Sequence, residues 1–247
     1  PMAARQLMTL AAETGSHSVK KTAQRVAADM VYFGSSAYGQ PAAASSTEGD
    51  AVAIGRDSWR LKGGAFSDIT PDNERLHKSR QELHDYWRSS QQPPLVYAVA
   101  NKERSVRLVE LVQQYVRSGR ILEIGTNVGR NLHYLHAAGF TNLEGIEISP
   151  SAVAMLRDAF PELSNIAIHV SAVEDIIGGF SDKSFECVFT MAVLEHLHHD
   201  SEWIFAHMAR IARCIITVED ELRSGERHFA RNYESIFTRY GMRQVHL

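Results

Sequence analysis

Apolar and polar residues follow two alternating periods along the second half of the chain. Short apolar runs bounded by polar or glycine-containing turns predict six strands, at residues 120–124, 143–148, 166–170, 185–191, 213–219 and 242–247. Stretches of helical period between them predict helices at 130–138, 150–160, 173–177, 203–211 and 229–240. Strands that alternate with helical crossovers indicate an α/β fold, a doubly wound, mostly parallel sheet with helices on both faces. Such sheets bind ligands beyond the carboxyl ends of their strands, near the point where strand order reverses.

The first half of the chain is predicted to be helical and to lie outside this sheet. Helical spacing at residues 2–13 and 18–33 predicts an N-terminal helical arm, followed by an Ala/Ser/Gly-rich linker. Thr70-Pro71 signals the start of a further helix, Pro93-Pro94 ends it, and residues 96–117 predict another. We therefore expect three parts: an arm and linker at 1–64, a helical lid or cap at 65–118, and the sheet domain at 119–247.

One stretch, ILEIGTNVGRNLHYL at 121–135, places a glycine turn between a strand and a helix. A turn of this kind brings bare backbone N–H groups close to a small ligand. The dinucleotide fingerprint anchored at Gly125 would need glycine at positions 127 and 130, where the chain has Asn127 and Arg130. NAD and FAD, and with them an oxidoreductase, therefore fit poorly. The alternative is a turn that only joins the strand to the helix.

A second acidic residue occupies the end of the next predicted strand. Glu147 lies 24 residues beyond Glu123, and a carboxylate in such a position can bind both hydroxyl groups of a ribose. Ser149-Pro150 then predicts the start of the following helix. Taken alone, an acid at a strand end is also typical of a solvated surface group.

Four runs in order, ILEIGTNVG, LEGIEIS, SAVEDI and SFECVFTMAVLEHL, resemble the class I S-adenosylmethionine-dependent methyltransferases, particularly the small-molecule branch. The resemblance covers residues 75–247. It implies S-adenosyl-L-methionine as cofactor and methyl transfer to an oxygen or nitrogen of a small metabolite or short peptide, and it makes 119–247 the cofactor-binding domain. The residues it places around the cofactor are Glu123, Gly125, Thr126, Asn127, Gly129, Glu147, Ile148, Val173, Glu174 and Met191. Ala172 stands where the family usually has an acid that binds adenine, so Val173 N–H and Glu174 are the expected substitutes.

The segment LEHLHHD, residues 194–200, follows the fourth strand at the mouth of the expected acceptor pocket. His196 is the first candidate for a general base because an unperturbed imidazole titrates near neutral pH, and Glu195 is the second. The alternative is a structural histidine that caps the next helix. His196, His198, His199 and Asp200 have side chains that suit zinc, but neighbours on one short loop rarely converge, so we expect no metal.

One segment before the sheet domain and one after its fifth strand supply further candidate contacts. Arg88 and Tyr97 are expected to bind the cofactor carboxylate. Tyr86 and Trp87 are expected either to contact substrate or to pack their helix on the sheet. After the fifth strand, His228, Arg231 and Tyr233 are candidate substrate contacts; the alternative is a solvated loop.

Composition narrows the classes of partner. Hydrophobic residues make up 44% and charged residues 22% of the chain, and the net charge is −3, so no overall basic field attracts nucleic acid. No apolar run approaches the roughly 20 residues that span a bilayer. Cys187 and Cys214 lie in apolar strands, which favours buried thiols and a reducing, cytoplasmic location.

The resemblance also predicts how the sheet ends. The family usually adds an antiparallel seventh strand through a C-terminal hairpin, whereas this chain stops just after the sixth predicted strand. Cover for that edge is expected from the 1–64 arm or from a second copy in a homodimer. A different class of function also stays open, in which the protein binds the cofactor but acts as a regulator or partner.

Overall fold

The computed structural model describes residues 28–34, 77–89, 98 and 102–246. Within these ranges seven strands form one sheet, in the order β4-β3-β2-β5-β6-β1-β7. The strands are β1 Ala28–Gly34, β2 Ile121–Ile124, β3 Leu143–Glu147, β4 Ala167–Val170, β5 Phe185–Met191, β6 Ala212–Glu219 and β7 Met242–His246. The ladders from β4 through β6 are parallel, and β1 is antiparallel to both of its neighbours. The predicted mostly parallel α/β sheet is confirmed.

Helices cover both faces of this sheet. They are α1 Arg80–Ser89, α2 Lys102–Tyr115, α3 Arg130–Ala137, α4 Pro150–Ala159, α5 Val173–Ile176, α6 Trp203–Ile211 and α7 Tyr233–Arg239. Alternate residues of β5 enter two separate apolar clusters: Val188 packs with α6 and α7, while Cys187 and Phe189 pack with α2, α3 and α4. Burial on both faces explains why the central strands are continuously apolar rather than alternating.

Local capping chemistry sets where two helices begin. Ser149 Oγ accepts a hydrogen bond from Ala152 N at 3.3 Å and Pro150 opens α4, so the predicted start is confirmed. Of the helix predicted from Thr70 to Pro93, the structure describes residues 77–89, in which Lys78 and Ser79 are not helical and α1 begins at Arg80. Ser79 and Glu82 form a reciprocal capping box there, with N–H to side-chain oxygen distances of 2.9 and 3.3 Å.

The N-terminal segment supplies a strand where the helical period predicted a helix. The helix predicted over 18–33 is wrong at its end, because Ala28–Gly34 is β1 and lies between β6 and β7. Met30 and Tyr32 are buried on one face of the sheet and Val31 on the other. This apolar run therefore has the burial on both faces that is typical of a central strand. The N-terminal arm thus supplies the antiparallel strand of this sheet, between β6 and β7.

Several predictions fall outside the described residues. They concern the helix at 2–13, most of that at 18–33, the linker, the helix start at Thr70-Pro71, the Pro93-Pro94 break and Tyr97. The division into three parts stays a prediction. Of the helices that the structure describes, none combines the length and apolar character needed to cross a membrane.

Candidate functional site

A cavity of about 500 Å³ opens at the carboxyl ends of β2, β3 and β5. Strand order reverses between β2 and β5, so the cavity lies where an α/β sheet is expected to bind its ligand. The turn after β2 forms one side, the segments after β3 and β4 form the next, and the loop after β5 faces them. Leu83, His84 and Trp87 of α1 line the remaining side. This size falls within the roughly 300–1,000 Å³ of small-molecule sites.

The glycine turn between β2 and α3 is held in one tight conformation. Gly125, Asn127 and Gly129 have φ angles of 78°, 48° and 78°, and Asn127 adopts the left-handed conformation that its short polar side chain tolerates. Gly125 N and Thr126 N both donate to Ile146 O, at 2.8 and 3.1 Å. The backbone of the turn is thereby tied to β3, and Gly125, Thr126 and Asn127 line the cavity.

Glu147 presents a carboxylate at the cavity wall. Its Oε2 accepts from Asn127 N at 2.7 Å and its Oε1 accepts from Ser149 N at 2.8 Å, so the side chain bridges the two turns. Burial raises the pKa of this carboxyl, and the backbone N–H donors oppose that rise. The group is thus held rigidly, with lone pairs left for a ligand.

Glu123 lies beneath the turn and does not line the cavity. Its Oε1 accepts from Asn131 Nδ2 at 2.8 Å, while its buried Oε2 has no hydrogen-bond partner among the described residues. Burial raises the pKa of Glu123 to about 8. Ser105 Oγ donates to Asn131 Oδ1 at 2.7 Å and accepts from Arg130 Nε at 2.8 Å, which completes a buried polar network.

The sequence analysis missed three members of this network, Ser105, Arg130 and Asn131, as possible site residues. The available signal was two consecutive polar residues at the first positions of α3, directly after the glycine turn. Arg130 and Asn131 both line the cavity, together with Arg104 from α2. The cationic side chains nearest the turn thus come from α2 and α3.

Ile148, Ala172 and Val173 form a mainly apolar part of the cavity wall. Glu174 also lines it, but its carboxylate is already engaged: Oε1 accepts from Ser201 Oγ at 2.9 Å and lies 3.1 Å from His84 Nε2. Glu174 therefore connects α5 to α1 and to the loop after β5, in addition to facing the cavity.

His196 lies in the loop after β5 and lines the cavity. Its Nδ1 is 2.8 Å from Arg227 O; because a carbonyl only accepts, Nδ1 carries the proton and Nε2 keeps its lone pair. The ring lies 4.7 Å from that of Trp87 and 4.5 Å from that of His228. Burial lowers the pKa of His196 to about 4, so the expectation of a near-neutral imidazole is wrong and the ring is uncharged at pH 7.

Two buried carboxylates lie at the loop after β5: Glu195 is part of this loop, and Glu219 contacts it from the end of β6. Glu195 Oε2 accepts from Asp220 N at 2.6 Å, its Oε1 lies 3.6 Å from His196 Nε2, and burial raises its pKa. Glu219, which the sequence analysis did not single out, ends β6 and accepts from Val193 N at 2.9 Å. Burial raises the pKa of Glu219 to about 8. Glu219 thus fixes the backbone of the loop that carries His196.

Several predicted site residues lie away from the cavity wall. Arg231 is buried and donates to Leu194 O at 2.9 Å and to Leu197 O at 2.8 Å, so it holds the loop; its role as a substrate contact stays a prediction. Tyr233 is buried within the core cluster. Gly129 packs against α4, where a Cβ would lie 2.5 Å from Leu156 Cγ.

Three further predicted site residues, Arg88, Tyr86 and His228, also do not line the cavity. Arg88 is on the exposed side of α1, with Nη1 3.8 Å from Asp85 Oδ1, and does not line the cavity, whereas Arg80, Arg104, Arg130 and Arg223 do. The Tyr86 ring lies under the Arg227 guanidinium at 4.4 Å. His228 contacts the His196 ring from outside the cavity wall. Trp87, by contrast, both lines the cavity and packs on His196.

Comparison with known proteins identifies the sheet domain. Residues 122–214 match the family described as "Methyltransferase domain". Comparison with curated proteins gives no match. The predicted resemblance to class I S-adenosylmethionine-dependent methyltransferases is confirmed by this match together with the fold.

Two solved structures share the fold at low sequence identity. A Haemonchus contortus phosphoethanolamine N-methyltransferase 2, in complex with phosphomonomethylethanolamine and S-adenosylhomocysteine, is 14% identical with a TM-score of 0.54, over 64% of this chain and 44% of that one. Magnesium protoporphyrin IX methyltransferase from Synechocystis, with bound S-adenosylhomocysteine, is 15% identical with a TM-score of 0.52, over 66% and 89%. The chain spans about half the length of the Haemonchus protein and, at 57%, of a Pyrococcus horikoshii protein.

Proposed function

Because this chain carries a class I S-adenosylmethionine-dependent methyltransferase domain, we propose that it transfers a methyl group from S-adenosylmethionine to an oxygen or nitrogen of a small metabolite or short peptide. The observation that carries the proposal is the Glu147 carboxylate, fixed by two backbone N–H groups at the wall of a 500 Å³ cavity beside the glycine turn. Both structurally similar methyltransferases hold S-adenosylhomocysteine.

The residues present fit this cofactor. A ribose needs an acceptor for its hydroxyl groups, and Glu147 retains lone pairs beyond those used by Asn127 N and Ser149 N. Adenine needs an apolar slot, which Ile148, Ala172 and Val173 line. Beneath the turn, the buried Glu123 Oε2 lacks a partner among the residues described, so this carboxyl keeps hydrogen-bonding capacity next to the cavity floor.

Arg104 and Arg130 are the side chains that we assign to the carboxylate of the methionine part. Both line the cavity, and Arg130 is held by Ser105 Oγ at 2.8 Å, so its guanidinium is oriented before any ligand arrives. A guanidinium matches a carboxylate in shape as well as in charge. This assignment replaces the expected pairing with Arg88; Tyr97 stays a prediction.

S-adenosylmethionine supplies an electrophilic methyl group on a positively charged sulfur. The protein's part is mainly to bind and orient the acceptor and to exclude water, because alignment accounts for much of the acceleration of such a displacement. Trp87 and Leu83 close the cavity from α1. Glu195 and His196 lie at the acceptor end and are the groups available to take a proton from the acceptor.

The proposal is tested by calorimetric titration of the full chain with S-adenosylmethionine and with S-adenosylhomocysteine. We expect Glu147→Ala to weaken binding by about 10- to 100-fold, since it removes charge-assisted hydrogen bonds worth about 1.5–3 kcal/mol. Glu144→Ala is the matched control: it changes the same strand, but Glu144 pairs with Arg120 and His169 instead of lining the cavity.

Two results would separate the alternatives. If neither compound binds, or if both variants bind as the parent chain does, the cofactor assignment fails. Labelled S-adenosylmethionine, incubated with the protein and a metabolite extract, should yield a labelled product. Tight binding without any labelled product would favour a regulatory or partner role instead.

A further inference from the structure

We propose that Glu195, His196 and His228 form a binding site for a divalent transition-metal ion of the zinc type at the acceptor end of the cavity, where the ion binds an acceptor hydroxyl. The ion-binding part stands by itself, and the role given to the ion rests on the proposed function. The proposal departs from the sequence expectation of no metal, because the ligands come from two segments, 195–196 and 228.

The geometry of the cluster is close to that of a three-ligand site. One carboxylate oxygen and two imidazole nitrogens all lie within 4.8 Å of one another, and Glu195 Oε1 is 3.6 Å from His196 Nε2. Zinc binds nitrogen and oxygen at about 2.0–2.2 Å, which places ligand atoms about 3–3.5 Å apart around a tetrahedral ion. Small side-chain rotations bring the cluster to that spacing.

Backbone contacts set the form of two ligands in advance. Arg227 O accepts from His196 Nδ1, which leaves Nε2 as the atom with a free lone pair on the side of Glu195. Asp220 N donates to Glu195 Oε2 and leaves Oε1 for the ion. A carbonyl that fixes the tautomer of a ligating histidine is the usual second partner at metal sites.

Two histidines and one glutamate match the ligand set of catalytic zinc sites, which keep a position open for water or substrate. Glu195 and His196 line the cavity, so an open position there faces the acceptor. An ion lowers the pKa of a bound hydroxyl, whose proton then passes to solvent water. The acceptor class that fits is therefore a hydroxyl, and His196 acts as a ligand and not as the base.

The test is calorimetric titration of the full, chelator-treated chain with Zn²⁺ alone and with Co²⁺ alone. We expect one ion per chain, and an absorption band in the visible range for the Co²⁺ form that reports bound nitrogen ligands. His228→Ala and Glu195→Gln should each weaken binding at least 10-fold. His136→Ala, which removes a histidine on α3, should leave binding unchanged.

Folding and the cofactor site need separate readouts. His228→Asp, which restores an oxygen ligand, should recover part of the lost affinity, and thermal unfolding checks that each variant is folded. Absence of saturable binding, or equal losses in His136→Ala and His228→Ala, overturns the metal site. His228→Ala should bind S-adenosylhomocysteine as the parent chain does, whereas Glu147→Ala should bind the metal as the parent does but the nucleoside about 10- to 100-fold more weakly. Failure of one proposal is therefore distinguishable from failure of the other.

Discussion

At the scale of single residues, Glu123 and Glu147 differ in position although the sequence predicts a similar role for both. The β2–β3 register aligns Ile124 with Ile146, so Glu147 lies level with Gly125, two residues beyond Glu123 along the sheet. Two strand residues correspond to about 6.6 Å, which puts one carboxylate at the cavity wall and the other below it. Sequence identified both acids, but register depends on pairing between strands that a single sequence does not specify.

Because Glu123 is buried, Glu123→Gln should change how stability depends on pH. The folded pKa is about 8 and the ordinary value is 4.5. Between these values the unfolded chain loses a proton that the folded chain keeps, so the parent protein loses stability as pH rises from 4.5 to 8. Glutamine does not titrate, and we expect Glu123→Gln to be more stable than the parent by on the order of 4 kcal/mol at pH 8, since each pKa unit corresponds to about 1.4 kcal/mol.

Urea unfolding of the ligand-free chain at a series of pH values measures this difference. It should shrink towards zero near pH 4.5. Glu103→Gln, at an exposed position in the first turn of α2, serves as the control and should follow the parent curve. A constant offset between Glu123→Gln and the parent at every pH would contradict the assigned pKa.

At the scale of elements, the strand and helix bounds from β2 onward follow the sequence closely, and α1 does not. Turn residues on both sides of a short apolar run fix where an element begins and ends. The predicted and observed bounds of β5 and α6 therefore coincide. The sequence analysis overlooked the Ser79–Glu82 capping box, at which α1 begins, while the start predicted at Thr70-Pro71 lies outside the described residues. The glycine turn was predicted correctly, but its close contact with α4 depends on tertiary packing.

The turn gives a direct test of that packing. Gly129 and Gly139 both have positive φ, at 78° and 96°, but a Cβ at Gly129 would lie 2.5 Å from Leu156 Cγ while nothing lies within 4 Å at Gly139. We expect Gly139→Ala to cost about 1–2 kcal/mol of unfolding free energy from backbone strain. Gly129→Ala should cost about 1–3 kcal/mol more, because the added methyl group overpacks the contact with α4.

Urea unfolding of the two alanine variants provides the comparison. Gly179→Ala, which has neither a positive φ nor a neighbour within 4 Å, gives the baseline for adding a methyl group. Equal costs for Gly129→Ala and Gly139→Ala would show that α4 yields to the new side chain without cost.

At the scale of the whole molecule, the sheet is completed by residues from opposite ends of the described chain. β1 pairs with β6 on one side and with β7 on the other. The sequence did not reveal this, because residues 28–34 have apolar positions compatible with a helix or a buried strand, and long-range pairing decides between them. The resemblance covered only 75–247, and it left the source of the antiparallel strand open between the arm and a second chain.

If β1 is an integral strand, its side chains should contribute as much to stability as other core residues do. Tyr32 is fully buried and its ring lies 4.8 Å from that of Phe237 on α7. We expect Tyr32→Ala to lower the unfolding free energy by about 3–5 kcal/mol. Tyr240→Ala, at a position that is 43% exposed, should change it by less than about 0.5 kcal/mol.

Thermal and urea unfolding of the two tyrosine variants test this expectation. Similar small effects for both would mean that residues 28–34 are dispensable for the sheet. In that case the binding of S-adenosylhomocysteine should also be unaffected by Tyr32→Ala.

The position of β1 has a consequence for biosynthesis. This strand leaves the ribosome before either neighbour exists, and about 180 further residues must be added before β6 begins. At about 5–20 residues per second, the wait is on the order of ten seconds or more. During that time its backbone donors and acceptors have no native partner, so the nascent polypeptide is exposed to chaperones and to misassociation until β6 and β7 have been made.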